Sequence, residues 1–271
     1  MAGDILVKIN NEEATGMTVE KAVSLIRGPK GTTVTLTILR PSQKKPPFDL
    51  VLKRDIIQIK SVTWKMLPGQ VALIDLSHFN SDTSAAFQTI IGEILRQKPK
   101  GVILDVRNNP GGFLNTAIDV ASAWVGEQSI VKERRQGEII EEFKGSTAAR
   151  LGDLPTIVLV NQGSASASEI VAGALQDYGK ARLLGTKTFG KGSVQDYQTL
   201  KDGSGVKITI AEWLTPKERT INKTGLIPDI TVERTEEDYA AKRDPQLDRA
   251  VSLLTGAQAG SSTPVPTSTK P

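Results

Sequence analysis

Thr156-Ile157-Val158-Leu159-Val160-Asn161-Gln162-Gly163-Ser164-Ala165-Ser166-Ala167-Ser168-Glu169 is the stretch whose reading decides the fold. Its unbroken apolar and β-branched start predicts a strand buried on both faces. A short polar loop follows, and the spacing then predicts a helix over 169–178. A serine at such a junction sits where backbone N–H groups are unpaired and the helix dipole favours negative charge. That environment suits a nucleophile whose product is an oxyanion. The same residues also have a purely structural reading, because Ser166 and Glu169 fit S-x-x-E, a capping box.

Moving outward, the strand–loop–helix pattern recurs. A buried strand over 101–106 runs into Asn108-Asn109-Pro110-Gly111-Gly112 and a helix over 114–125. A strand over 70–76 precedes an amphipathic helix over 83–96. Strands are expected at 181–185, 193–200 and 206–214, with Asp202-Gly203 as a hairpin signal. This alternation argues for an α/β core over residues 56–235. Residues 1–55 read as a separate α+β module. It has a strand near 5–10, a helix over 19–27 capped by Thr18, and strands over 32–39 and 48–57. The helix carries Val19, Ala22, Val23 and Ile26 on one face. Residues 236–271 are expected to form a short helix over 244–254 and a disordered Gly/Ser/Thr/Pro tail.

Composition narrows the chemistry. The 271 residues are 38% hydrophobic and 24% charged, ordinary for a globular protein and unlike a membrane-embedded or collagen-like one. There is no cysteine, hence no disulfide framework and no cysteine nucleophile. The single histidine, His78, excludes a multi-histidine metal centre, and no metal or cofactor is expected. The net charge of +4 comes from the first 60 residues, with 10 Lys/Arg against 6 Asp/Glu; the rest balance at 24 against 24. That excess is spread out, and aromatics are 4%, so nucleic acid is not an expected partner. No signal peptide or spanning segment is visible.

A serine nucleophile needs a base. His78, in Leu76-Ser77-His78-Phe79, has no G-x-S-x-G elbow to match it. Lysine can serve when burial keeps it neutral, its ordinary pKa being ~10.4. Lys191 lies in Thr188-Phe189-Gly190-Lys191-Gly192-Ser193-Val194-Gln195. Gln195, an even number of residues on, shares its face if the segment is a strand, and is placed to orient the amine. Gly185-Thr186-Lys187-Thr188-Phe189-Gly190-Lys191 imitates a phosphate loop, but Gly192 stands where Ser or Thr is needed, and a strand follows instead of a helix. The paired glycines Gly111 and Gly112 open another helix and can supply a second oxyanion donor.

In order along the chain, these segments resemble the carboxy-terminal processing peptidases, the Ser-Lys tail-specific proteases of peptidase family S41. Gly16 through Thr32 is similar to the second half of a PDZ domain. Asp105 through Gly112 is similar to the family's glycine loop, Ser164 through Leu175 to its nucleophile segment, and Thr188 through Gln195 to its lysine segment. Ile221 to Asp229 is similar to its closing strand region. The resemblance implies Ser166 as nucleophile, Lys191 as general base and Gln195 as its support. It implies backbone N–H groups of Ala167 and of Gly111 or Gly112 as the oxyanion hole. It implies an α/β protease core of the crotonase/Clp-protease type preceded by a partial PDZ module, whose first strand and carboxylate-binding loop would lie before Met1. Val19, Val23 and Ile26 then map to the peptide-binding helix. The implied activity is a serine endopeptidase cutting polypeptides with flexible apolar C-terminal tails in an extracytoplasmic location, possible as a homo-oligomer. Two alternatives are a non-catalytic peptide-binding protein and a crotonase-type acyl-CoA enzyme.

Overall fold

The computed structural model describes residues 4–41, 45–56 and 60–256. The chain divides into two compact units, Met1–Ile59 and Lys60–Pro271.

The first unit is a four-stranded antiparallel sheet, ordered β2-β1-β3-β4, with one helix. Its elements are β1 (Ile5–Ile9), β2 (Glu12–Glu13), α1 (Val19–Ile26), β3 (Thr33–Leu39) and β4 (Phe48–Lys53). Thr18 caps α1 as expected, accepting from the Lys21 N–H. Arg54 closes the other end, donating to the Ile26 and Leu25 carbonyls at 2.8 and 2.9 Å, where a cation complements the helix dipole. Arg40 makes a bidentate pair with Asp4.

The second unit is built on a six-stranded sheet ordered β14-β11-β10-β7-β6-β5. The strands are β5 (Val62–Leu67), β6 (Val71–Leu76), β7 (Gly101–Asp105), β10 (Thr156–Val160), β11 (Arg182–Gly185) and β14 (Ile230–Thr231). Only β5 runs antiparallel to its neighbour. Side chains alternate across this sheet. Ala72, Ile74, Leu76, Val102, Leu104, Val158 and Val160 pack with the helices α2 (Thr83–Arg96), α3 (Leu114–Val125) and α4 (Ala167–Asp177). Val71, Leu73, Ile103, Ile157, Leu159 and Leu184 meet Leu247, Ala250, Val251 and Leu254 of the final helix, α6 (Pro245–Thr255). Helices therefore cover both faces, which is why the central strands read as continuous apolar runs. A short helix, α5 (Glu236–Ala240), precedes α6, and residues 257–271 lie outside the described part.

A second sheet, β12-β13-β8-β9, is antiparallel. It comprises β8 (Ser129–Arg135), β9 (Glu138–Lys144), β12 (Ser193–Thr199) and β13 (Gly205–Leu214). The sequence reading has no strand at β5, β8 or β9. β9 is almost wholly exposed, and its apolar residues Ile139, Ile140 and Phe143 do not alternate, so it lacks the pattern that reports a strand. Its partner pairing supplies the order instead: Val131 opposes Phe143, and Arg135 opposes Glu138 across Gln136-Gly137, both with positive φ as a two-residue hairpin requires.

Candidate active site

The first turn of α4 sorts the three serines of the motif. Ser164 is buried and its hydroxyl donates to the Val106 carbonyl at 2.8 Å. Ser168 is buried and donates to the Asn109 carbonyl at 3.0 Å. Both hydroxyls hold this turn to the neighbouring loop. Ser166 is partly exposed and occupies the N-cap with φ 56° and ψ −115°. A left-handed φ in a non-glycine residue costs on the order of 1–3 kcal/mol and persists only where surroundings enforce it. The helix starts at Ala167, two residues before the expected boundary, because the strained Ser166 turns the chain directly into it.

The glycine loop lies against this serine. A Cβ on Gly111 would sit 2.8 Å from Ser166 Cβ and 3.0 Å from the Ala167 nitrogen. A Cβ on Gly112 would sit 2.1 Å from the Phe79 carbonyl oxygen. Both positions have positive φ, 101° and 150°, so neither tolerates a side chain. Phe79 forms a parallel bridge with Gly112; it donates to the Gly111 carbonyl and accepts the Phe113 N–H. Buried Asn109 completes the frame. Its side chain donates to the Leu76 carbonyl at 2.7 Å and accepts the Gly111 N–H at 2.9 Å, while its carbonyl takes the Ala165 N–H. Among the described residues, the N–H groups of Gly112 and Ala167 have no hydrogen-bond acceptor.

The lysine segment meets the same turn through Glu169, which is fully buried. Its carboxylate accepts from the N–H groups of Ser166, Gly190 and Lys191 and from the Thr188 hydroxyl. Two sequence expectations change here. The base role calls for a Lys191 kept neutral by burial; the side chain is exposed, because Gly190 and Gly192 pack their backbones against residues 221–225 and leave it outside. Gln195 was expected to share a face with Lys191. Lys191 precedes β12, and a register shift falls between Val194 and Gln195, so alternation does not carry across. No hydrogen bond among the described residues joins Lys191 to Ser166 or to Gln195. Asn109 and Thr188 appear in the sequence reading only as members of their motifs, and their roles, like the backbone role of Phe79, are not legible there. The S-x-x-E spacing was the available signal for Glu169, read there only as a cap.

Val19, Val23 and Ile26 lie on α1 of the first unit. Val19 is 73% and Val23 38% exposed, and α1 buries no residue fully. His78 is partly exposed and adjoins Phe79. Among the described residues no group of acidic or histidine side chains is arranged to hold a metal ion. Beside the site, a pocket of about 390 Å³ is lined by Asn108, Asn161, Thr186 and Arg234 among others, and does not include Ser166. Below it, Arg107 binds Asp105 and Asp244 together. Burial opposes ionisation of Asp244, yet the Arg107 guanidinium and the Leu247 N–H hold its carboxyl below the usual range. Asp75 goes the other way, raised by burial and by the adjacent Asp105.

Comparison with known proteins agrees with this arrangement. The family model "Peptidase family S41" matches residues 70–232, and a "PDZ domain" model matches residues 2–40. A probable CtpA-like serine protease of Staphylococcus epidermidis is 40% identical over 231 residues, 84% of this chain and 46% of the relative. A carboxy-terminal-processing protease of Bartonella bacilliformis is 43% identical over 243 residues, 86% and 55% respectively. This chain thus spans about half the length of those relatives. The solved photosystem II D1 C-terminal processing protease is 33% identical with TM-score 0.64, over 86% of this chain and 64% of that one. With more than half of its residues matched, including both glycine loop and serine turn, the chain belongs to peptidase family S41.

Proposed function

We propose that this chain is a serine endopeptidase that cleaves polypeptides near their C-termini. One observation carries the reading: a strained N-cap serine in contact with a glycine loop, with two unpaired backbone N–H groups beside it. Ser166 Oγ attacks the scissile carbonyl while Lys191 Nζ, neutral, takes its proton. The tetrahedral oxyanion is held by the Ala167 and Gly112 N–H groups. Gly112 is preferred over Gly111 because Asn109 already accepts the Gly111 N–H. The C–N bond then breaks, Lys191 returns the proton to the leaving amine, and water repeats the sequence on the acyl-enzyme. Each oxyanion donor contributes ~3–4 kcal/mol in a well-studied protease. Lys191 is exposed in this structure, so the proton transfer requires its side chain to turn toward Ser166 when substrate binds. Gln195 supports the amine in that closed arrangement.

The names of the relatives support tail-bearing polypeptides as substrates, and the exposed Val19 and Val23, with the half-buried Ile26 beside them, support peptide docking on α1. We divide the chain into a partial PDZ domain (1–55), a protease core (56–235) and a C-terminal helix and tail (236–271). We assign the core to the crotonase/Clp-protease type, on the strength of its helix-covered parallel sheet with glycine loops at helix N-termini. The CtpA-type relatives support extracytoplasmic work; no helix among the described residues is long and apolar enough to cross a membrane.

A second reading of the base rests on one observation. His78 immediately precedes Phe79, whose backbone bonds to Gly111 and Phe113 of the glycine loop that lies against Ser166. The test is cleavage of an unfolded protein with an apolar tail, with products located by mass spectrometry, by wild type, Lys191→Ala and His78→Ala. The proposal expects products shortened at the C-terminus, Lys191→Ala inactive and His78→Ala active, with the rate rising with pH above neutrality. Loss in His78→Ala alone transfers the base to His78. Tail binding without any product supports a non-catalytic binder.

A further inference from the structure

Glu169 is a fully buried carboxylate with no cationic partner among the described residues. Burying such a charge is strongly unfavourable unless donors replace its water. Four do. Oε1 accepts the Gly190 N–H at 2.7 Å and the Thr188 hydroxyl at 2.5 Å. Oε2 accepts the Ser166 N–H at 3.0 Å and the Lys191 N–H at 2.8 Å. Two bonds through one atom hold the Ser166 and Lys191 nitrogens within about 6 Å. Thr188 extends the junction, its hydroxyl accepting the Leu226 N–H at 2.7 Å.

We propose that Glu169 is the positioning residue of the site: one carboxylate oxygen sets the backbone of the nucleophile against the backbone of the base. The inference rests on the Ser166–Lys191 reading above. It also explains the choice of oxyanion donors. With the Ser166 N–H taken by Glu169, the adjacent unpaired donors are those of Ala167 and Gly112. With the Lys191 N–H held by Glu169, closing the dyad calls on rotation of the lysine side chain.

Glu169→Gln keeps the shape and replaces one acceptor oxygen by an NH2 that faces donors. Two measurements follow, one independent of turnover. Amide hydrogen exchange at Ser166, Gly190 and Lys191 is expected to accelerate at least tenfold, with the amides of β7 and β10 unchanged. In the cleavage assay kcat is expected to fall about 100-fold with KM within threefold, the size of effect for a misplacement of about 1 Å. Thr188→Val removes one donor and leaves both Oε2 bonds. It is expected to lower the melting temperature comparably and kcat less than tenfold; a purely structural role would make both variants lose activity in step with melting temperature. Unchanged exchange at Lys191, or kcat within threefold of wild type, overturns the proposal. If Glu169→Gln does not fold, Thr188→Val carries the test: exchange at Gly190 at least fivefold faster supports the junction, and unchanged exchange overturns it. If wild type does not cleave but exchange responds as expected, the junction stands and the protease reading falls.

Discussion

In Met1–Ile59, the buried apolar side chains among the described residues are Ile9 and Val34, and α1 leaves Val19 largely in solvent. In Lys60–Pro271, Trp124, Phe87, Ile91, Leu104 and Val158 belong to one continuous core, and α6 closes a second layer. The first unit depends on sheet hydrogen bonds and on charged ties such as Asp4–Arg40 and Arg54 at the end of α1. The second depends on apolar burial, which contributes about 25 cal/mol per Å² removed from water. The difference teaches where rigidity is needed. A strained Ser166 is maintained only on a frame that does not yield, whereas α1 leaves apolar Val19 and Val23 open to solvent.

The largest effect that sharpens this contrast is expected from Gly112→Ala. Its methyl would meet the Phe79 carbonyl, a backbone atom with nowhere to go. Proteolysis should fall to background and stability by about 3 kcal/mol or more, read by denaturant unfolding. Trp124→Ala empties a fully buried site and removes the hydrogen bond to Thr156 at 2.9 Å. It should cost about 3–5 kcal/mol in the second unit. Ile9→Ala should cost about 2–3 kcal/mol, a larger share of a unit with so small a core. Peptide-resolved hydrogen exchange should show residues 5–53 losing protection while β7 and β10 keep theirs; uniform loss would break the contrast.

Acid reaches both units by the same sign. Hydrogen bonding to Arg40 lowers the Asp4 carboxyl, and the Arg107 pairing lowers Asp244 against its burial. A carboxyl lowered in the folded state adds stability above its unfolded value, ~3.9, and loses it as pH falls through the folded one. Unfolding midpoints measured from pH 6 to 2 should therefore fall below about pH 4, less so in Arg107→Gln for the second unit. The smallest effect is expected at Val19→Ser, within about 0.5 kcal/mol because the side chain is exposed. If α1 receives peptide, the same variant raises KM for tail substrates several-fold with kcat unchanged.

Much of this architecture was legible from local pattern. Thr83–Arg96 and Leu114–Val125 match the expected helices residue for residue, the first through its amphipathic spacing, the second because a glycine turn opens a largely apolar run. The order of glycine loop, serine turn and lysine segment was legible too. What escaped depends on distant partners. β9 is ordered by β8 and shows no apolar period of its own. The burial of Lys191 was inferred from the chemistry it must perform, while its exposure follows from backbone packing of Gly190 and Gly192 on residues 221–225. Glu169 looked like a helix cap, since nothing local to S-x-x-E reveals that residues 188–191 supply three of its donors.

The most direct test of the central claim is the initial rate at which wild type and Ser166→Ala, at equal concentration, cleave an unfolded protein ending in an apolar tail. The account predicts C-terminally shortened products from wild type and a rate at least 10³-fold lower from a folded Ser166→Ala, the scale of removing a catalytic nucleophile. A Ser166→Ala variant that cleaves at the wild-type rate would contradict it.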